Sequence, residues 1–171
     1  MKKPVLWLMG PTSSGKTTIA KAFLARLKQN NALSIHYDGD EVRGFFGDKI
    51  GFAPNERLMV VKTLVHLAQK AASSGINTIV SALTAEAEAR NFVNSNISNL
   101  HIVYVKCGID ECARRDPKGL YKKAISGEIN TLIGYNTEYI MPKSPKLILD
   151  TEKNTIQESV KVLENYFINI Q

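Results

Sequence analysis

The sequence predicts an α/β domain on a mostly parallel sheet, of the P-loop NTPase kind. Three observations predict it. Short apolar runs alternate with amphipathic stretches along the chain. The apolar runs are nearly continuous rather than alternating, as in strands covered on both faces. Finally, Gly10-Pro11-Thr12-Ser13-Ser14-Gly15-Lys16-Thr17 follows the first apolar run and has the spacing G-x-x-x-x-G-K-[ST].

Taken in order, the first strand is expected over Val5–Met9. A basic then apolar start could suggest a signal peptide, but the run stops at Met9 and leads straight into the glycine-rich loop, so it reads as a core strand of a cytoplasmic protein. The next segment, Lys16–Gln29, carries Ile19, Ala20, Phe23, Leu24 and Leu27 at helical spacing. A second strand is expected over Leu33–Tyr37. The helix expected over Glu56–Ser73 carries Val60, Val61, Leu64, Val65, Ala68 and Ala72, with Gly75 as its stop. Further strands are expected over Thr78–Ser81, His101–Lys106 and Lys146–Leu149, and a short helix over Leu120–Ser126, ended by Gly127. The last helix opens on Thr155-Ile156-Gln157-Glu158, a capping-box pattern, and then runs Val160, Leu163, Phe167 on one face. The stretch 114–139 is charged, punctuated by glycine and without sustained apolar periodicity, which suits a mobile covering lid.

The 171 residues suit one domain, 1–171, with no repeat or linker. No apolar run approaches the roughly 18 residues of a membrane span. The formal charge of +6 suits an anionic partner. No zinc finger, RRM signature or basic repeat favours nucleic acid. Cys107 and Cys112 form no disulfide framework and read as reduced thiols; two more ligands would be needed for zinc. His36, His66 and His101 stand singly in apolar surroundings and read as packing residues.

The chemistry begins at the glycine-rich loop. Glycine lets the backbone turn tightly around phosphate oxygens, and amide N–H groups at a helix N-terminus point at those anions. Gly10, Thr12, Ser13, Ser14, Gly15, Lys16, Thr17 and Thr18 are the candidate ATP-binding residues. Lys16 is expected to reach the β/γ-phosphates, and the Thr17 hydroxyl to ligate Mg²⁺. A carboxylate is usual near that metal. The third strand ends without one, but the second ends in Tyr37-Asp38-Gly39-Asp40. In an open parallel sheet, ligands sit beyond the carboxyl ends of the strands. Asp40 is therefore the candidate to orient or deprotonate an attacking hydroxyl, and Asp38 a water-mediated metal partner. An ordinary Asp-Gly turn is the alternative. Arg43 and Arg57 could each grip an acceptor phosphate or simply be solvated helix residues.

Gly10–Thr17, the run from Asp38 to Arg43, Gly51-Phe52 with Arg57, and the run from Arg115 to Ala124 together resemble adenylyl-sulfate kinases. The likeness continues through Gly127-Glu128-Ile129, Gly134, Tyr139, Pro142 and Pro145. It implies a five-stranded parallel sheet flanked by helices, a homodimer, and transfer of the ATP γ-phosphoryl group to a ribose 3′-hydroxyl. By position it implies that Asp40 serves that hydroxyl and that Arg43 and Arg57 meet the acceptor's anionic groups. Phe52 becomes one face of a base-stacking clamp. Arg115, on the ATP side, and Lys118, on the acceptor side, belong to the lid.

The departures cluster on the acceptor side. Leu132-Ile133-Gly134 stands where the family has Phe-Thr-Gly, so Leu132 replaces the second stacking face. Val60 stands for an Asn, Lys62 for an Arg, and Leu83–Glu88 for a Ser-Pro-Tyr-Arg stretch. The expected acceptor is therefore a nucleotide with a modified terminal phosphate other than adenylyl sulfate, for which the family resemblance suggests the cytidine 5′-diphosphoramidate of capsule biosynthesis; adenylyl sulfate itself is the alternative. A P-loop ATPase or switch would want a guanine-reading Asn-Lys-x-Asp motif, which is absent. A silent nucleotide-binding module would have lost Lys16, Thr17 or Asp40, and all three remain.

Overall fold

The computed structural model describes residues 2–170, and of Asp48 the backbone alone; Met1 and Gln171, the ends of the expected domain, lie outside the described residues. Strand β1 (Val5–Met9) is buried along its whole length, because it is the centre of the sheet. Strands β2 (Ser34–Asp38), β3 (Asn77–Ser81), β4 (Leu100–Lys106) and β5 (Leu147–Asp150) complete an all-parallel sheet in the order β2-β3-β1-β4-β5. The order reverses between β1 and its two neighbours, which opens a crevice at the carboxyl ends of the strands. Register brings Asp38 of β2, Ser81 of β3 and Leu8 of β1 level with one another.

Helices cover both faces. On one, α1 (Lys16–Gln29) and α7 (Ile156–Ile168) bury Ile19, Phe23, Leu163 and Phe167 against Leu6, Leu8 and Val103. Phe23 and Phe167 meet edge to face, centroids 5.5 Å apart, a contact worth about 0.5–1.5 kcal/mol beyond the area it buries. Thr155 caps α7 as its sequence implies: its hydroxyl accepts from the Glu158 amide, and Glu158 accepts from the Thr155 amide. On the other face, α3 (Pro54–Ser73) and α4 (Ala87–Asn96) pack Val60, Leu64, Ala68 and Val93 over Trp7 and Val80. The Trp7 indole N–H donates to Thr84 Oγ1 at 2.9 Å, so the largest core side chain leaves no polar atom unpaired.

Several sequence expectations are corrected. Strands β2 and β5 are not covered on both faces; they are the sheet edges, and most of their residues are only half-buried. The Asp-Gly pair after β2 makes no turn. It starts helix α2 (Gly39–Phe45), with Asp38 as the cap accepting the Asp40 amide at 2.8 Å. His66 is exposed on α3 rather than packed. The segment 114–139, read as a cover without apolar support, has a small core of its own. Helices α5 (Ile109–Arg115) and α6 (Leu120–Ile125) bury Cys112, Tyr121 and Ala124 with Cys107 and Leu132.

Candidate active site

The loop Gly10–Gly15 folds against the ends of β4 and β5. A Cβ on Gly10 would stand 2.3 Å from the Val105 carbonyl oxygen, so no side chain fits there. Gly15, at φ 97°, takes the left-handed turn that delivers the chain into α1. Lys16 donates to the carbonyls of Gly10 (2.9 Å) and Pro11 (2.6 Å), which holds its ammonium inside the loop. Burial lowers its pKa to about 8, against the opposing pull of Asp40. The Ser13 and Ser14 hydroxyls are buried there without partners. The first-turn amides of α1 have no acceptor within the helix, so the loop is rich in donors.

Asp38 reaches this loop across β3. Its Oδ2 accepts from Thr17 Oγ1 at 2.6 Å and from Ser81 Oγ at 2.7 Å, while Oδ1 takes the Asp40 amide. Burial pushes its pKa up, but these three bonds outweigh it and hold the carboxyl below its ordinary value. Ser81 gives its proton to Asp38, so His36 Nε2, 2.8 Å from Ser81 Oγ, must be the donor in that contact. Burial keeps this imidazole below its ordinary pKa despite nearby Asp38. Thr17, having donated its own proton, keeps lone pairs with which to accept or to ligate. A hydroxyl beside a buried anionic carboxylate suits Mg²⁺, which binds through few protein ligands plus phosphate oxygens and water. Among the described residues there is no cluster of three His, Cys, Asp or Glu that would form an all-protein metal cage.

Across the cleft, Asp40 pairs with Lys118 of the lid. Glu56 reaches back to the amides of Gly51 and Ala53 at 2.9 and 2.8 Å. Arg43 donates to the Gly51 carbonyl, and Arg57 Nε to that of Phe52 at 2.8 Å. These bonds clamp residues 51–53 and present the Phe52 ring outward, 52% exposed, with the guanidinium carbons of Arg43 and Arg57 4.6 and 5.6 Å from its centroid. Phe52 is therefore not core. Arg57 also donates to the Thr131 carbonyl at 2.7 Å, tying the lid to α3. Leu132 borders the cleft, yet it is only 7% exposed because most of its side chain serves the lid core. Val60, 4% exposed, forms part of the same wall.

The lid is fastened to the loop at two points. Tyr121, fully buried, donates its hydroxyl to the Thr12 carbonyl at 3.1 Å. Arg115 donates to the Thr151 hydroxyl (3.1 Å) and carbonyl (2.7 Å), and Thr151 Oγ1 donates to the Ser14 carbonyl at 2.9 Å. Lys16, Thr17, Asp40, Arg43, Phe52, Arg57, Arg115 and Lys118 thus all line one cleft of ≈ 600 Å³, within the ordinary range for ligand sites. Gly10 and Ser14 lie beneath it. The sequence reading assigned Ser81 and Thr151 no role, His36 only a packing role, and Glu86, which lines the cleft, only a place in the Leu83–Glu88 departure. Only register and tertiary contact give the first three their partners; the signal available for Ser81 was its place at the end of the strand beside β1.

The adenylylsulphate kinase family model matches residues 2–150. The chain is 35% identical to the adenylyl-sulfate kinase of Oceanobacillus iheyensis over 167 residues, 96% of this chain and 84% of that one. It is 40% identical to a probable adenylyl-sulfate kinase of Aeropyrum pernix over 164 residues, covering 93% and 89%. The structure of the Mycobacterium tuberculosis APS kinase CysC in complex with AMPPNP and APS superposes with a TM-score of 0.92 at 28% identity, covering 98% of each chain.

Proposed function

The chain belongs to the adenylylsulphate kinase family, phosphotransferases with a hydroxyl acceptor that use ATP with Mg²⁺, and we propose that one cleft holds both nucleotides of such a transfer. One observation carries this: the phosphate loop with Lys16 and Thr17, and the group Asp40, Arg43, Phe52 and Arg57, face the same cleft. In this reading the acceptor's 3′-oxygen attacks the γ-phosphorus of ATP. A new O–P bond forms, the bond to the β–γ bridging oxygen breaks, and ADP leaves. Asp40 orients the hydroxyl and takes its proton, which requires the acceptor to part the Asp40–Lys118 pair. Lys16 and the loop amides stabilise charge on the transferring group. Thr17, steadied by Asp38, would hold Mg²⁺, which would supply neutralising charge to the phosphates. Arg115 lies over the ATP side, and the lid excludes water.

The named relatives support adenylyl sulfate as the acceptor. A second reading, cytidine 5′-diphosphoramidate, is favoured by the acceptor wall. There Val60 and Leu132 are apolar and buried, and among the described residues Phe52 is the one aromatic side chain that lines the cleft. The loss of one stacking face costs on the order of 1–3 kcal/mol if base–aromatic values carry over. ADP release should be measured with Mg²⁺-ATP alone and with each acceptor at matched concentration. Overwhelming preference for adenylyl sulfate ends the second reading. Equal ADP release with and without acceptor ends the kinase reading in favour of an ATPase. A homodimer in the cytoplasm is part of the proposal, and sedimentation at working concentration tests the assembly.

A further inference from the structure

The acceptor side of the cleft is built for anions, with Arg43, Arg57 and Lys118 along it, yet besides Asp40, which pairs with Lys118, it contains a second carboxylate. Glu86, the residue that precedes α4, lines the same wall and is half-buried. It takes part in none of the ion pairs among the described residues. The nearby guanidinium groups direct their hydrogen bonds to backbone carbonyls and none to Glu86. Arg43 and Arg57 donate to the carbonyls of residues 51, 52 and 131. Arg90, one turn along α4, donates to those of Thr84 and Ile140. Glu86 is nevertheless close enough to Arg57 for its charge to favour the guanidinium, against burial and the repulsion of Arg43.

A carboxylate only accepts hydrogen bonds. Beside a ligand whose terminal oxygens also only accept, it repels; beside one that offers an N–H, it gains a charge-assisted bond. A terminal sulfate and a terminal phosphoramidate have the same shape and the same single negative charge. They differ in that one corner of the phosphoramidate is an N–H donor, and a site matched to a donor rejects its lookalike strongly. We propose that Glu86 selects acceptors whose terminal group bears an N–H donor over acceptors whose terminal oxygens only accept. This rests on the 3′-kinase reading and, of its two acceptors, on the amidate; it adds the residue that sets the terminal group, independently of the base.

The test holds the base constant. Adenylyl sulfate and adenosine 5′-diphosphoramidate are compared on the wild type, Glu86→Gln and Glu86→Ala by kcat/KM and by calorimetric binding, which answers even for a variant too slow to assay. The wild type is expected to favour the amidate. In Glu86→Gln, whose amide can donate to a sulfate oxygen, the ratio should fall by about tenfold or more. Adenylyl sulfate should improve in absolute terms, with the KM for ATP and the melting temperature unchanged. Glu86→Ala should also lose the preference, with a smaller gain for adenylyl sulfate, because it relieves the repulsion but supplies no donor. An unchanged ratio in both variants overturns the proposal, as does an equal loss with both acceptors accompanied by a lower melting temperature, the mark of a residue that only starts α4. If the wild type releases no ADP with either acceptor or with cytidine 5′-diphosphoramidate, the kinase reading fails and takes the proposal with it, an outcome distinct from an unchanged ratio.

Discussion

Lys16 sits where its charge is least comfortable, inside the loop with two carbonyls and a pKa lowered to about 8. Below that value it is charged in both folded and unfolded chains. Between about 8 and its ordinary value the folded protein holds fewer protons, so this group's contribution to stability rises with pH. Phosphate oxygens favour the ammonium, so ATP binding should take up a proton at alkaline pH. Affinity should be level below pH ~8 and fall by up to about tenfold per unit above it; a flat calorimetric profile across that range would refute the placement of Lys16. Lys16→Ala should slow turnover by ~10²–10³ without lowering the melting temperature, since a poorly solvated charge is removed. Ser81→Ala, which strips one bond from Asp38 and one from His36, should cost about 1–3 kcal/mol. Both partners have depressed pKa values. Stability is therefore lost as pH falls, first below the usual imidazole range and then through the folded pKa of Asp38, and Ser81→Ala should move the acid midpoint upward. Acid titration followed by circular dichroism checks this.

At the scale of elements, the lid helices depend on Tyr121. Tyr121→Phe removes only the bond to Thr12 and should cost about 1 kcal/mol. Tyr121→Ala also empties the core shared by Cys112, Ala124 and Leu132, and should cost about 3–5 kcal/mol while raising the KM for ATP more than Tyr121→Phe does. Denaturant melts and ATP titrations separate the two effects. The same elements show what the sequence could reveal. Helices α1 and α7 are legible because they run long enough for their buried residues to repeat, and α7 announces its start with Thr155 and Glu158. Helices α2, α4 and α5 escape because they bury little: α2 no residue, α5 only Cys112, α4 Ala89 and Val93. A pattern needs several repeats before it stands above composition. The loop residues and Asp38-Gly39-Asp40 are legible because their chemistry is local. Ser81 and Thr151 act only through strand register and the β5–α7 connection, which no neighbouring residue records.

For the molecule as a whole, the sheet order sets the layout of the crevice. Ligand on one side and lid on the other join through Thr151, Tyr121 and Arg57, so nucleotide should stabilise the entire fold. Mg²⁺-ATP at about 100 times its Kd should add about 2.7 kcal/mol, or roughly 5–10 °C in melting temperature for a chain of this size. Chelating the Mg²⁺ should shrink that shift sharply in a thermal melt; an undiminished shift would count against Thr17 as a metal ligand. The sheet also imposes a rule of width. Asp38 stands on the outermost strand, with β3 between it and the loop it serves, and it reaches over because the residue level with it on β3 is a serine. That rung is a bridge with a height limit. A leucine there would wall the acid off from Thr17, and an aspartate would set two like charges at one span. The freedom to post the acid at the border is thus bought by keeping its inner neighbour short and hydroxylated.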